Sequence, residues 1–373
     1  MNAAPLGLRL PVQFADIPFA QASLEEVRPL GIVMHIGSRG YRWPASRFPL
    51  STRGVRIGGW MLMPDGPFDR IHAYVNGEEF FTCDPRQRDD LSESFAHIPT
   101  AGRAGFTFEI PRRVARKGRV EIVGKRDGRP VGRMRFRFRH DLRHKVPTPP
   151  PLLTKHVSDT TDPHFFVAEG YKAFDEMNDA LMRHRPEGGI GHLLDWGCGC
   201  GRLAAHWLRQ RRIPQVYGCD INAEAIAWCS SHLRQGQFAT VSFDPPTAYS
   251  DAQFDAIAAY SVFTHLTESA QWAWLAEMHR ILKPDGVFVA SVHGTSAAWF
   301  RFGPRTDEML AHGIHDGTPS PGIERIVGPG AYRNTYQTPE YTRTLFGRWF
   351  EVLEYVERGV GNNQDLVVLR KPR

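Results

Sequence analysis

The chain has no apolar run that approaches the length of a bilayer-spanning helix. Residues 1–30 carry Arg9 but are broken by Pro5, Pro11 and Pro18, so the apolar centre of a secretion signal is missing. Cysteine is scarce and odd in number: five in 373 residues, with Cys198, Cys200 and Cys219 in or beside one glycine-rich stretch. A disulfide framework is therefore not expected, and a reducing, cytoplasmic location is. Cys198-x-Cys200 has no second Cys/His pair at ligand spacing, so it is not read as a zinc site. The group His312-x-x-His315-Asp316 falls in a glycine-rich loop and is not read as one either. The Gly-Lys-Ser/Thr ending of a loop that cradles nucleoside triphosphates is absent, and so is any internal repeat.

What is present suffices for two domains: 373 residues, 42% of them apolar. The net charge of +6 is concentrated between Arg112 and Lys145. From about Ile32 to Phe138 short runs with strand character are separated by turn signals, among them Asn76-Gly77 and Asp127-Gly128. This spacing predicts a small all-β sandwich within residues 1–145. Arg133-Met134-Arg135-Phe136-Arg137-Phe138-Arg139 alternates strictly, so Met134, Phe136 and Phe138 should face the core and the four arginines outward. That basic stripe suits an acidic glycan, a lipid headgroup or nucleic acid. It equally suits an edge strand kept from aggregating by charge, which is the reading preferred here. Pro147-Thr148-Pro149-Pro150-Pro151 marks a stiff linker, taken as residues 146–164.

Residues 165–373 alternate strand and helix. Phe166, Ala173, Phe174, Met177 and Leu181 recur at helical spacing. Strands are expected near Leu193–Asp195, Gln215–Asp220, Phe238–Phe243, Phe254–Tyr260 and Val287–Val292, with helices over Ala223–Leu233 and Glu268–Leu282. The alternation predicts a parallel sheet covered on both faces. Phe350–Glu357 and Leu366–Leu369 are joined by a loop too short for a crossover helix, which predicts an antiparallel hairpin at the sheet edge. Residues 295–335 are read as an irregular lid above that edge.

The unit around which this half is organised is Leu193-Leu194-Asp195-Trp196-Gly197-Cys198-Gly199-Cys200-Gly201-Arg202-Leu203. It reads as strand, tight glycine turn, helix, the arrangement that binds nucleotides at the carboxyl edge of an open sheet. Arg202 stands where the third glycine of a dinucleotide fingerprint is needed. Asp195 ends the first strand, and Asp220 ends the next, where a carboxylate can hold two ribose hydroxyls.

With these motifs in order, residues 165–371 resemble the class I S-adenosylmethionine (SAM)-dependent methyltransferases. The matching stretches are Asp195–Arg202, Gly218-Cys219-Asp220-Ile221, Ser261-Val262-Phe263-Thr264-His265-Leu266, Leu282-Lys283-Pro284-Asp285-Gly286 and the closing hairpin ending Gln364–Leu369. The bacterial branch it is most similar to is often associated with glycan or secondary-metabolite methylation. The resemblance implies a Rossmann-like seven-stranded sheet with SAM as cofactor. Gly197, Cys198, Gly199 and Gly201 would pack against it and Asp195 would lie beside its amino group. Asp220 would take the ribose and Ile221 would cover adenine. Phe243 and Asp244 would meet the adenine edge, and Tyr260 and Ser261 would lie near the methionine moiety.

Methyl transfer from a sulfonium is an in-line displacement, so the protein has to align the acceptor and, for a hydroxyl, help remove a proton. His265 and His293 stand at the right sheet edge for that. Each has a plain alternative, as a turn-binding or a strand-end histidine. Tyr332, Asn334 and Tyr336 are candidates to line the acceptor pocket. The expected acceptor is a small molecule or glycan, methylated on oxygen. N- or C-methylation of a small metabolite and a non-catalytic SAM-fold scaffold are the alternatives. Nucleic acid is a lesser reading, because Tyr260-Ser261-Val262-Phe263 replaces the Asn-Pro-Pro-Tyr-type motif of amine methylation. No oligomeric state is assigned.

Overall fold

The structure, a computed structural model, describes residues 21–29, 47–49, 54–62, 66–111, 119–139, 146–158, 163–319, 332–361 and 363–373. These divide into two compact units, residues up to 139 and residues from 146 onward.

Among its described residues the first unit is all-β apart from one short helix. Its strands are β1 (Gln21–Pro29), β2 (Arg47–Pro49), β3 (Gly54–Leu62), β4 (Arg70–Val75), β5 (Glu78–Cys83), β6 (Arg86–Gln87), β7 (Arg103–Pro111), β8 (Arg119–Arg126) and β9 (Arg129–Arg139), with α1 (Asp89–Ser94). They form a four-stranded sheet, β1-β3-β7-β6, and a five-stranded sheet, β2-β9-β8-β4-β5. Phe81 of β5 stacks on Phe108 of β7 and joins the two sheets. Asn76-Gly77 and Asp127-Gly128 adopt positive φ throughout, as two-residue hairpin turns matched to strand twist require. The outward placing of all four arginines on β9 does not hold. Arg133 is 6% exposed, and its guanidinium lies 3.8 Å from the buried Glu121 of β8, which draws it inward. The other side chains of that alternating stretch lie outside the described residues.

The extended linker ends sooner than residue 164. Pro151–Ser158 is already a helix (α2), because proline at the first helical position forfeits no hydrogen bond. Pro163–His184 (α3) follows, with Phe166, Ala173, Phe174, Met177 and Leu181 buried as their spacing predicts. Then come β10 (His192–Trp196), α4 (Ala204–Gln210), β11 (Gln215–Asp220), α5 (Ala223–His232), β12 (Gln237–Thr240), β13 (Phe254–Ala259), α6 (Glu268–Ile281) and β14 (Leu282–Val292). The described part of residues 295–335 is not a structureless lid, and residues 320–331 lie outside the description. That part includes α7 (Thr295–Phe302), α8 (Thr306–Met309), β15 (Ile314–Pro319) and β16 (Arg333–Gln337), the last two paired antiparallel. The chain closes with α9 (Pro339–Phe346), β17 (Glu351–Val360) and β18 (Gln364–Arg370).

The seven strands run in the order β12-β11-β10-β13-β14-β18-β17. β12 to β14 are parallel, β18 runs antiparallel to β14, and β17 is the antiparallel edge. The chain starts at β10 in the middle, builds outward to β12, and returns to β13 on the other side. The carboxyl ends of β10 and β13 thus flank the crevice where open α/β sheets take ligands. One face of the sheet buries Phe254, Ile257, Phe288 and Val367 beneath α6 and α9. The other buries Leu193, Val216, Ala258 and Val289 beneath α3 and α4. Fully buried side chains of this size contribute roughly 1.5–3 kcal/mol each, which fixes the sheet edge as a rigid base for the site.

Candidate functional site

The glycine turn leaves β10 and enters α4. Gly197, Gly199 and Gly201 have φ of 71°, 51° and 70°. A Cβ on Gly197 would stand 2.4 Å from Val262, and one on Gly201 would stand 2.4 Å from Leu233. Val157 of α2 covers Gly199 in the same way. The glycines are required first by the protein's own packing, not by a ligand pressed against them.

The backbone donors of the turn are also committed. Gly197 N and Cys198 N donate to Cys219 O at 2.8 and 3.0 Å, and Gly201 N donates to Cys198 O at 2.9 Å. Gly199 N donates to the Asp220 carboxylate at 2.7 Å. These four N–H groups are therefore not a nest for phosphate. What the crevice offers is acceptors, carbonyl oxygens and the carboxylates of buried Asp195 and half-buried Asp220, which suit a cationic ligand with hydroxyls.

Asp195 is 2% exposed and accepts from Ala204 N at the start of α4. Burial, with the Asp220 charge adding to it, pushes its carboxyl up to about 7; the bond from Ala204 N and the charge of Arg202 hold it down only in part. Asp220 also accepts from Asn222 N at 2.8 Å, and burial raises its pKa as well. Asn222, not Asp220, caps α5, accepting from Glu224 N and Ala225 N. Ile221 follows Asp220 half-buried.

Cys198 turns its thiol inward. The sulfur donates to Gly199 O, and a Cβ on Gly218 would stand 2.9 Å from it, so Cys198 can meet a ligand only through its backbone. Cys229 donates to the same carbonyl at 3.5 Å. The strand expected to reach Phe243 stops at Thr240. Phe243 packs on the core, its carbonyl taking the Trp274 indole N–H at 3.0 Å, while Asp244 is exposed.

Past β13, Arg202 lies over the Tyr260 ring at 4.5 Å. Ser261 holds φ of 60°, unusual for a residue with a Cβ. Its conformation is fixed by a polar network that spacing in the sequence did not reveal. Ser261 N donates to the Ser291 hydroxyl at 2.8 Å, and that hydroxyl donates to the Gln364 side chain at 2.7 Å. Gln364 returns a bond to the Ser261 hydroxyl at 2.9 Å, and Thr264 completes the set at 3.0 Å. Gln364 arrives only through the β17–β18 hairpin, far along the chain.

The two histidines meet. The rings of His265 and His293 stand 6.4 Å apart, edge to face. His265 stacks on Tyr332 at 4.3 Å, and His293 stacks on Tyr336 at 5.0 Å. Nδ1 of His265 is 3.0 Å from the Arg333 carbonyl. A carbonyl only accepts, so Nδ1 carries the hydrogen and Nε2 is the basic nitrogen of the neutral ring. Tyr336 is 7% exposed and packed against Phe302, so it supports His293 instead of lining an open pocket. Asn334 is half-buried and reaches the Pro319 carbonyl at 3.5 Å. His315 bonds Thr318, and Asp316 accepts from Glu268 N at the start of α6. No cluster of metal ligands occurs among the described residues.

A strand–glycine turn–helix unit, a second carboxylate at the next strand end and this strand order together define the class I SAM-dependent methyltransferase fold. Residues 194–290 match the family described as methyltransferase domain. Over that stretch the chain carries a methyltransferase domain of the class I SAM-dependent type, whose cofactor is SAM. Committed N–H donors, the two carboxylates and no phosphate nest fit a cofactor that has a sulfonium and an ammonium but no phosphate.

Among curated proteins, the chain is 31% identical over 128 residues to the ribosomal RNA small subunit methyltransferase C of Shewanella loihica. The match covers 33% of this chain and 37% of that protein, so the chain spans little more than a third of the curated relatives it matches. Among solved structures, it is similar to the 1,6-didemethyltoxoflavin-N1-methyltransferase of Burkholderia thailandensis at 19% identity and a TM-score of 0.41, covering 62% of this chain and 97% of that one. A SAM-dependent methyltransferase from Methanosarcina mazei matches at 18% identity and a TM-score of 0.40, covering 52% and 97%. No described helix is long and apolar enough to cross a membrane.

Proposed function

We propose that this chain transfers the methyl group of SAM to a hydroxyl of a sugar or sugar-containing small molecule, with His265 as the base. The observation that carries this reading is the bond from His265 Nδ1–H to the Arg333 carbonyl, which orients a basic Nε2 at the carboxyl edge of the sheet. A hydroxyl becomes a competent nucleophile only as its proton leaves, and a neutral imidazole suits that step near pH 7. The stacked His265–Tyr332 pair adds flat, weakly polar surface that suits the face of a sugar ring. In this reading Asp220 takes the ribose, Asp195 the ammonium, Ile221 and Phe243 the adenine side, and Tyr260 and Ser261 the methionine side. Five thiols without a disulfide suit a reducing compartment, so a cytoplasmic place belongs to the proposal.

A second reading is methylation of RNA, favoured by the ribosomal RNA methyltransferase matched over a third of this chain. An acceptor screen with methyl-labelled SAM against sugars, nucleotide sugars, amines and RNA separates the two. Label on a sugar hydroxyl is expected; label on RNA alone would replace the first reading with the second.

A further inference from the structure

We propose that Arg202 binds the carboxylate of the cofactor's methionine moiety and so, with Asp195, completes a clamp for its zwitterionic end. The inference rests on the SAM site described above and names the residue that selects its anionic end. With the N–H groups of Gly197, Cys198, Gly199 and Gly201 already committed, a carboxylate brought into this crevice needs another donor.

Arg202 is placed and prepared for that. It follows the last glycine of the turn directly, seven residues after Asp195, and its charge acts on the Asp195 carboxyl. Its guanidinium carbon lies over the Tyr260 ring, 4.5 Å from the centroid. A guanidinium that packs on an aromatic ring still has N–H groups along its edge, in the plane that a carboxylate accepts bidentately. Nε is buried and has no hydrogen-bond partner among the described residues, and no carboxylate there forms an ion pair with the side chain. A buried guanidinium N–H left unmade costs free energy, which a ligand acceptor would recover.

The side chain is also held in position from behind. Gly170 of α3 lies directly on it: a Cβ there would stand 2.5 Å from Arg202 Cγ and 2.8 Å from its carbonyl oxygen. A helix-interior glycine costs about 0.5–1 kcal/mol relative to alanine, so packing on Arg202 gives that glycine a reason.

Calorimetry on the full chain tests the proposal, with SAM and with decarboxylated SAM, which keeps the sulfonium and the amine and lacks only the carboxylate. Arg202→Met keeps the stem that packs on Gly170 and removes the fork. It is expected to weaken SAM by about 10- to 100-fold while changing decarboxylated SAM by less than about threefold. Unchanged binding of the second ligand shows that the variant is folded. Arg202→Lys should recover part of the SAM affinity, since it restores the charge but not the bidentate geometry. Equal weakening of both ligands would assign Arg202 a merely structural role, and unchanged SAM affinity would leave the carboxylate to a donor other than the Arg202 side chain. Either result overturns the proposal. Wild-type protein that binds neither ligand would instead overturn the SAM site beneath it.

Discussion

In the proposed cofactor site, the buried carboxyl of Asp195 would tie binding to pH. In the ligand-free chain, burial raises its pKa to about 7, so below that value it is largely protonated. An ammonium set beside it favours the ionised form and lowers the pKa on binding. Binding therefore releases a proton, and SAM affinity is expected to rise from pH 5 to 7, by up to tenfold per unit, and then level off. Calorimetry in two buffers of different ionisation enthalpy measures the released proton directly. Asp195→Asn should flatten the dependence; a wild-type affinity that falls between pH 5 and 7 contradicts this role. The raised pKa has an opposite consequence for the empty protein. The stability that Asp195 contributes is fully present below its unfolded pKa, near 4, and is lost as pH rises through about 7.

The same scale governs the proposed base. His265→Ala removes the basic nitrogen but none of the cofactor contacts proposed above. SAM affinity should stay within about twofold, while turnover falls by about 10²–10⁴-fold. If turnover survives, the proton is removed by another group, His293 being the next histidine, its ring 6.4 Å away.

Among the elements, the glycine turn is the one with least tolerance. Gly201 combines a φ of 70° with a Leu233 methyl 2.4 Å from where a Cβ would be. Gly201→Ala should therefore cost about 2–4 kcal/mol, the sum of a left-handed alanine and an overpacked contact. Urea denaturation would read it as a lower midpoint at unchanged slope. A loss below about 0.5 kcal/mol would mean that the α4 entrance yields without strain. The β17–β18 hairpin matters to the site for a different reason. It carries Gln364 to Ser261 and Ser291, fixing the residue that follows β13 in a conformation it would not hold alone.

At the scale of the molecule, every proposed cofactor and acceptor residue lies in the unit that follows the proline-rich segment. That unit has its own sheet and its own cores on both faces. A fragment of residues 143–373 is accordingly expected to bind SAM within about threefold of the full chain. A fragment that folds, by circular dichroism, yet does not bind would assign part of the cofactor site to the β-unit.

Much of this was legible beforehand because the signals are local. Glycine in a tight turn, apolar residues at helical spacing along α3 and the short loop of the last hairpin each report a constraint acting within a few residues. So Asp195, the three glycines and Asp220 stand together as the motif order implied. Two expectations failed for the opposite reason. Proline at the head of Pro151–Ser158 reads as a breaker, yet it starts a helix whose Val157 is held over Gly199. Glycine and proline in residues 295–335 read as irregular, yet α7 and the β15–β16 pair form there through contacts with residues distant in sequence.

The sequence by itself therefore determined the sheet, its carboxyl edge and the carboxylates upon it, since turn chemistry and periodicity act at short range. Only the tertiary structure decided which donors the turn has left to give. That depends on Cys219 and Asp220 capping its N–H groups and on Tyr260 and Gly170 holding Arg202, none of them adjacent in the chain. It likewise decided the tautomer of His265, because the carbonyl that takes its Nδ1–H, that of Arg333, lies 68 residues away.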